Sequence, residues 1–344
     1  MARKVLTAMS GGVDSSVAAF LIKVGADECA GAIMRLLAQS AEEEAAREVA
    51  ARLGIAFHVF PLEAEFRENV IKPFIEAYRA GRTPNPCIEC NRTMKFGKFI
   101  ELAQNLGMSH IATGHYAVIE HDAASGRWLL RRGADEKKDQ SYVLWTLTQE
   151  QLSRTILPLG ALSKAEAREI AEAQGFTNAH KKESQDICFV PDGDYAAFIR
   201  EMTGSADAPG KFVDESGRAI GEHKGLTRYT VGQRRGLGLS LREPLYVRAK
   251  DAAHNTVTLC PESGLYSKTL TASRANLIAA KQFDRPTRVR AKIRYRAAEQ
   301  PATAEQLSED KLMIEFDEPQ RAITPGQSVV LYDGDYVVGG GVID

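Results

Sequence analysis

Cysteine is scarce in this chain, with five among 344 residues. So small and odd a number over that length argues against a secreted disulfide framework. Also lacking is any apolar run near the ~18 residues that a membrane span needs. The opening MARKVLTAMSGG has no apolar core ahead of its first glycines, so a cytoplasmic protein is expected. Charge of one sign is lacking too. The net charge is −1, and the global balance therefore gives no argument for a nucleic-acid partner. Composition is 44% hydrophobic and 26% charged, as in a soluble globular protein with a sizeable core, and the length exceeds one ordinary domain.

What the first half does contain is alternation of strand and helix. VLTAM (5–9), CAGAIMRL (29–36), IAFHVF (55–60) and HIATGHYAVI (110–119) read as strands. The stretch after the first glycines, then 42–54, 63–80 and 92–106, read as helices, with GRTPNPCIECN connecting the last two. Ser163 and Glu166 stand at capping-box spacing before a helix ending at Gly175. This order predicts a doubly wound parallel α/β sheet with its ligand at the carboxyl ends of the strands. Beyond about residue 206 the chain turns Gly-rich, and from about 245 it reads as β. The expected units are an α/β domain over 1–206, a small central domain over 207–280 and a β-barrel-like domain over 281–344.

Three stretches point to chemistry. AMSGGVDSS (8–16) follows a strand and opens a helix. The amides of Gly11, Gly12 and the first helical turn would then converge on an anion, aided by the helix dipole and the hydroxyls of Ser10, Ser15 and Ser16. The stretch lacks the Gly-Lys-Ser/Thr ending of a Walker A loop and the third glycine of a dinucleotide fingerprint. In NPCIECN (85–91), Cys87 and Cys90 have the spacing of a metal or redox pair. A zinc site lacks its second pair of ligands, and a thioredoxin-like motif would open a helix after the first strand. A third reading joins Cys90 to Cys188, which lies at a loop edge before a Pro-Asp-Gly turn, with Lys181 and Lys182 close in sequence. The residues alone leave these alternatives open. Cys29 and Cys260 lie in apolar runs and read as small buried hydrophobes. Finally, RVRAKIRYR (288–296) puts Arg288, Arg290, Lys292, Arg294 and Arg296 on one face at strand period, with no acid among them. That pattern suggests an anionic partner.

SGGVDSS resembles the PP-loop of the ATP pyrophosphatases, which cleave ATP between its α and β phosphates. TPNPCIECN, MKFGKF, ATGHYA, KKDQSYVLWTL, ESQDICFVPDGDY, YTVGQRRGLG, IRYR and ITPGQSVVLYDGD follow in one order from about residue 4 to residue 343. Together they resemble the bacterial tRNA-specific 2-thiouridylases. The resemblance implies a PP-loop ATPase domain and ATP-dependent 2-thiolation of the wobble uridine of tRNA, with Lys, Glu and Gln acceptors. It implies ATP contacts at Ala8, Met9, Ser10, Gly11, Gly12, Val13, Asp14, Ser15, Ser16, Met34 and Gly114, with Asp14 facing a Mg–pyrophosphate. It implies a persulfide on Cys188, supplied by a sulfur-relay protein or cysteine desulfurase. Cys90 would be the nucleophile, and a Cys90–Cys188 disulfide the end state. Asn85, Pro86 and Cys87 would meet the target base. His115, Lys138, Asp139, Gln140, Arg294, Tyr295 and Gln327 would meet the tRNA. Arg234 and Arg235 read as further phosphate binders.

Two features depart from the family. Some members have Asp in place of Cys87, so that thiol is not essential to the general mechanism. With Cys90 and Cys188 it would offer three thiolates, which suits an iron–sulfur cluster with one open iron. RLLAQSAEEE after Met34 is shorter than usual, which bears on local contacts near ATP and tRNA. Other readings are a PP-loop amide synthetase, which needs no cysteine, and a tRNA-binding protein with a dead nucleotide site.

Overall fold

The computed structural model describes residues 3–25, 28–38, 41–180, 187–205, 207–240 and 243–344. Lys181 and Lys182 lie outside these. Strand β1 (Lys4–Ala8) leads through the glycine loop into helix α1 (Val13–Val24), followed by β2 (Glu28–Arg35), α2 (Ala41–Leu53) and β3 (Ala56–Pro61). Helical runs α3 (63–79) and α4 (86–105) precede β4 (His110–Ala112). Strands β5 (Ala117–Asp122) and β6 (Arg127–Arg132) come next, then α5 (Gln149–Ser153), β7 (Thr155–Ile156), α6 (Lys164–Ala173) and α7 (Tyr195–Thr203). Strands β1, β2, β3, β4 and β7 form a parallel sheet in the order β3-β2-β1-β4-β7. Alternate residues of β1 serve opposite faces. Val5 packs on Ile22 of α1, and Leu6 on the cluster that holds Phe96 and Phe99 of α4. Helices therefore cover both sides, as a doubly wound sheet requires.

The sequence pattern misplaces two elements here. HIATGHYAVI is not one strand. β4 stops at Ala112, and β5 pairs with β6 as an antiparallel hairpin belonging to a different sheet. The break falls at Gly114, where a Cβ would lie 2.8 Å from the carbonyl carbon of Asp14. The CxxC segment, expected as a loop, is helical from Pro86. Asn85 caps it by accepting from the Cys87 amide at 3.1 Å, and Pro86 takes the first helical position, where no amide hydrogen is needed.

Strands β8 (Gly210–Val213), β9 (Ala219–His223), β10 (Tyr246–Asp251) and β11 (Thr256–Cys260) make a small central sheet around Phe212, Val247 and Leu259. Strands β12 (Tyr266–Leu277), β13 (Thr287–Lys292), β14 (Gln300–Ser308), β15 (Lys311–Arg321), β16 (Ser328–Asp333) and β17 (Tyr336–Ile343) follow. They run in the order β12-β15-β14-β13-β16-β17, and β12 also pairs with β17, so the sheet closes into a barrel. The hairpin β5–β6 joins its outside through the Arg131–Tyr336 pairing. β12 begins at Tyr266, ahead of the boundary expected near 280. Among the described residues no helix is long and apolar enough to cross a membrane.

Candidate active site

The glycine loop sits where the parallel sheet predicts a ligand. Gly12 caps α1 with no side-chain acceptor over the first amides, so these N–H groups are available to an anion. Gly11 has φ +70, and a Cβ there would lie 2.3 Å from the Glu42 carbonyl oxygen, so only glycine fits. Ser15 accepts from the Ser10 amide at 3.0 Å and donates to the Gly12 carbonyl at 3.0 Å. Ser16 donates to the same carbonyl at 3.0 Å. Met9 and Val13 bury their side chains in the core, which leaves only their backbone to face a nucleotide. Ala8 and Met34 pack half-buried at the ends of β1 and β2.

Asp14 is held by residues that the sequence reading did not select. The Lys164 ammonium donates to both carboxylate oxygens, at 2.6 and 2.8 Å, and the Tyr116 hydroxyl donates to Oδ1 at 2.7 Å. The Lys164 side chain is 8% exposed and that of Asp14 33%. Lys164 is the first residue of α6, directly after the Ser163 cap, so the capping box that marked the helix also aims this lysine. Asn178 donates to the Gly11 carbonyl at 3.0 Å and to Ser16 Oγ at 2.9 Å, tying the loop to the chain beyond α6. Gly114 presses on the loop from the other side, and Gly114→Ala must push it away. That substitution is expected to weaken ATP binding about tenfold, the size of an overpacking penalty of 1–3 kcal/mol, as calorimetric titration would show.

The thiols gather beside the start of α4. None of the five cysteines is joined in a disulfide. Cys87 and Cys188 are exposed and Cys90 is buried, whereas Cys29 is half-buried and Cys260 buried away from this group. Cys188 lies on a turn closed by the Val190 amide on the Ile187 carbonyl at 2.9 Å. Its neighbour Phe189 anchors that turn among Phe66 and Phe74, at ring distances of 5.8 and 5.2 Å. Burial pushes the Cys90 thiol up to about 11, and Lys95 opposes the shift. Although Cys188 and Cys87 keep exposed surface, partial loss of water around their thiols also raises them, again opposed by Lys95, and a charge on Cys87 further raises both Cys90 and Cys188. The three thiols thus share one electrostatic neighbourhood, with Lys95 as its cation. Lys95 falls in a stretch of α4, Asn91–Lys98, that has π-helical pairing. Residues five apart are neighbours there, whereas an α-helix would separate them by about 140° around its axis. Lys95 follows Cys90 by five positions on this winding, and its charge is the cation that the thiols feel. Among the described residues no three or more His, Cys, Asp or Glu side chains are placed to hold a metal ion.

The residues expected to meet tRNA fall into two sets. His115 is buried against the Phe96 ring, hydrogen-bonded to Thr113 Oγ1 at 2.7 Å, and burial holds it neutral. Asp139 accepts from the Gly133 and Ser141 amides at 3.2 and 3.0 Å. Gln140 and Tyr116 are tied twice at 2.9 Å, which connects this turn to Asp14 through the Tyr116 hydroxyl. Lys138 is half-buried on the same turn. Gln327 donates to the Thr83 carbonyl at 2.7 Å, so its amide braces the segment leading into Asn85. Arg294 donates to the Ala322 carbonyl and Thr324 Oγ1, at 2.7 and 2.9 Å. Tyr295 is more open. Its hydroxyl donates to the Asp139 carbonyl at 3.2 Å, and Cys87 is close enough to raise its pKa further. Arg234 and Arg235 are exposed on a turn whose Gly232 packs on Ala322 near Arg294.

The cationic run at 288–296 alternates as expected through β13, with Val289 and Ala291 buried and Arg288 and Arg290 exposed. It is not free of acids, however. Arg288 pairs with Asp317 through two bonds of 2.8 Å, and Arg290 with Glu299 at 2.8 Å. These acids come from elsewhere in the barrel and were invisible in the run itself. The strand ends at Lys292, so Arg294 and Tyr295 stand in a bend beyond it.

A Ser-Gly-Gly loop between the central strand and first helix of a doubly wound parallel sheet defines a nucleotide-binding domain of the PP-loop class. Residues 3–192 match the family described as tRNA methyl transferase HUP domain, 196–261 its PRC-barrel domain and 267–343 the aminomethyltransferase beta-barrel domain. The chain is 46% identical over 357 residues to the tRNA-specific 2-thiouridylase MnmA of Clostridioides difficile, covering 100% of this chain and 99% of that protein. To the namesake in Symbiobacterium thermophilum it is 47% identical over 361 residues, covering 100% and 93%. The chain belongs to the tRNA-specific 2-thiouridylase family. A solved U34-tRNA thiolase from Methanococcus maripaludis, with its [4Fe-4S] cluster, overlaps 59% of this chain and 64% of its own at 18% identity and a TM-score of 0.36, too distant a likeness to bear on the site.

Proposed function

We propose that this protein is an ATP-dependent tRNA-uridine 2-sulfurtransferase acting on the wobble uridine. The observation that carries the reading is a chain of this family that holds a PP-loop, with Asp14 gripped by Lys164, together with a buried Cys90 and an exposed Cys188. The C2 carbonyl of uridine is unreactive, and its oxygen leaves poorly. Attack of that oxygen on the α-phosphorus of ATP releases pyrophosphate and turns the oxygen into part of AMP, a good leaving group. The incoming sulfur must carry a second breakable bond, or a dead-end thioether results. A persulfide meets that need.

The exposed Cys188 takes the persulfide from a sulfur-relay protein or a cysteine desulfurase. Its terminal sulfur attacks C2 and AMP departs, leaving tRNA joined to Cys188 through S–S. The Cys90 thiolate then attacks Cys188 Sγ, which frees thiouridine and leaves a Cys90–Cys188 disulfide. An alternative order has Cys90 release hydrosulfide from the persulfide first, with hydrosulfide attacking C2. Either order balances, and a dithiol reductant reopens the disulfide. Asn85, Pro86 and Cys87 line the place for the splayed base, with Tyr295 close by. Arg234 and Arg235 take phosphates of the stem.

Beside pyrophosphate, Lys164 and the α1 amides supply positive potential from the chain itself. Asp14, one-third exposed, is the carboxylate that would hold Mg²⁺ with the phosphates, and the ion would supply further neutralisation of their charge. Thiolation of tRNA by purified protein with ATP, a persulfide donor and reductant tests the reading, and its absence under metal-free and metal-replete conditions alike would refute it.

Lys95 favours all three thiolates. Lys95→Met is therefore expected to shift the pH dependence of Cys90 and Cys188 alkylation upward, since losing a nearby cation raises a thiol pKa. At pH 8 the rates should fall about threefold to tenfold, read by mass spectrometry of iodoacetamide adducts.

A further inference from the structure

Arg274 lies within β12 yet has φ +55, a conformation that a non-glycine residue adopts only when its surroundings hold it there. The β12–β17 pairing shifts register between Ser273 and Asn276, so Arg274 sits at a bulge, a device that re-aims a side chain. Here it aims the guanidinium out of the barrel and onto Glu89, 185 positions away, with Nη2 donating to Oε2 at 3.0 Å. Glu89 is one of the two residues between the cysteines of the CxxC, on the first turn of α4. Its side chain is 19% exposed. Partial burial opposes its charge, but Arg92 and Arg274 hold the carboxyl below the usual range. Arg92 grips the other oxygen, Oε1, from one turn further along the helix. The barrel also fixes the approach to this helix, through the Thr83 amide on the Pro325 carbonyl at 2.8 Å.

We propose that Arg274 is a positioning residue for the thiol chemistry, its strained backbone directing a barrel side chain onto Glu89 so that the CxxC helix keeps Cys87 outward and Cys90 inward. The CxxC is the first turn of α4, where helix fraying begins, and fraying there would expose the buried Cys90. The Glu89 anchor opposes that fraying. The role in sulfur transfer rests on the proposed function, whereas the geometric role does not.

Arg274→Gly separates the two parts of the device, since glycine accepts φ +55 without strain and removes only the side chain. With ATP and tRNA, Arg274→Gly and Glu89→Gln are each expected to lower kcat for thiolation about fivefold, with the KM for tRNA changed less than about twofold. The double variant should be no slower than either single variant, and Arg274→Lys should recover part of the rate. Additive losses, or a raised KM with kcat intact, would overturn the proposal and make Arg274 a tRNA contact instead. Without ATP or tRNA, Cys90 in Arg274→Gly should react with iodoacetamide about fivefold faster than in the unaltered chain, as local opening of the helix becomes easier. An unchanged Cys90 rate would also overturn the proposal. If the unaltered chain fails to thiolate tRNA while the alkylation difference holds, the proposed function fails and the positioning role stands.

Discussion

Cys188→Ser should lower tRNA thiolation at least ~10³-fold, because no other group in the proposed mechanism can carry sulfur with a breakable S–S bond. The change should cost little stability. Cys188 is exposed, and the turn is anchored by its neighbours Phe189 and Val190, which stay buried. ATP consumption should survive, since Asp14, Lys164 and the glycine loop take no support from the thiol. The measurement is nucleoside mass spectrometry of the tRNA, run beside a pyrophosphate-release assay. Release of pyrophosphate without thiouridine is the expected result, and thiouridine at the normal rate would show that sulfur travels another way. Cys90→Ser should separate the steps differently. Persulfide should still load onto Cys188, but no Cys90–Cys188 disulfide can form. An amide synthetase would be indifferent to both changes.

The second large effect is expected at Lys164. Lys164→Met should reduce tRNA-dependent pyrophosphate release about 10²-fold. The buried ammonium holds both oxygens of Asp14, and methionine fills similar space while leaving that carboxylate facing the pyrophosphate site without its cation. Repulsion between the two anions then opposes ATP binding and works against the charge that develops as pyrophosphate leaves. Lys164→Arg should restore only part of the rate, because a planar guanidinium does not present its donors to the two oxygens of Asp14 as an ammonium does. Thermal unfolding separates a catalytic loss from a folding defect. Normal pyrophosphate release by a folded Lys164→Met protein would remove Lys164 from the site.

Much of the nucleotide domain is legible in the sequence because its signals are local. Gly11 and Gly12 after a short apolar strand, and Ser163 with Glu166 before an amphipathic run, each report on a few consecutive residues. The nucleotide cradle needed little more. What the sequence hides are partners brought from afar. Lys164 looks like an ordinary first-turn residue until the fold carries it 150 positions back to Asp14. Arg288 and Arg290 look like an uncompensated cationic stripe until Asp317 and Glu299 arrive from other parts of the barrel. Asn85 and Pro86 fall in the stretch expected to connect two helices, although the same pair starts a helix when the asparagine turns its side chain onto the amide of Cys87. The strand pattern of 110–119 failed for a related reason. Its residues are apolar enough for one strand, but Gly114 is committed to the glycine loop and the chain changes sheets there. The thiol Cys188 could be singled out by its polar surroundings, whereas Lys95 shows its role only through the helical winding that carries it.

The brace between the CxxC approach and the barrel also has an order in time. Thr83 donates its amide to the Pro325 carbonyl and accepts from the Gln327 side chain, residues synthesised some 240 positions later. Of the nucleotide loop's partners Tyr116, Lys164 and Asn178, the last precedes Gln327 by 149 positions (327 − 178), so at about 5–20 residues per second the loop has them all on the nascent chain roughly 7–30 s before the thiol helix has its final support. A ribosome-bound intermediate can therefore close its ATP cradle while its cysteines remain unaligned, and reactive sulfur is assembled only on a nearly finished protein.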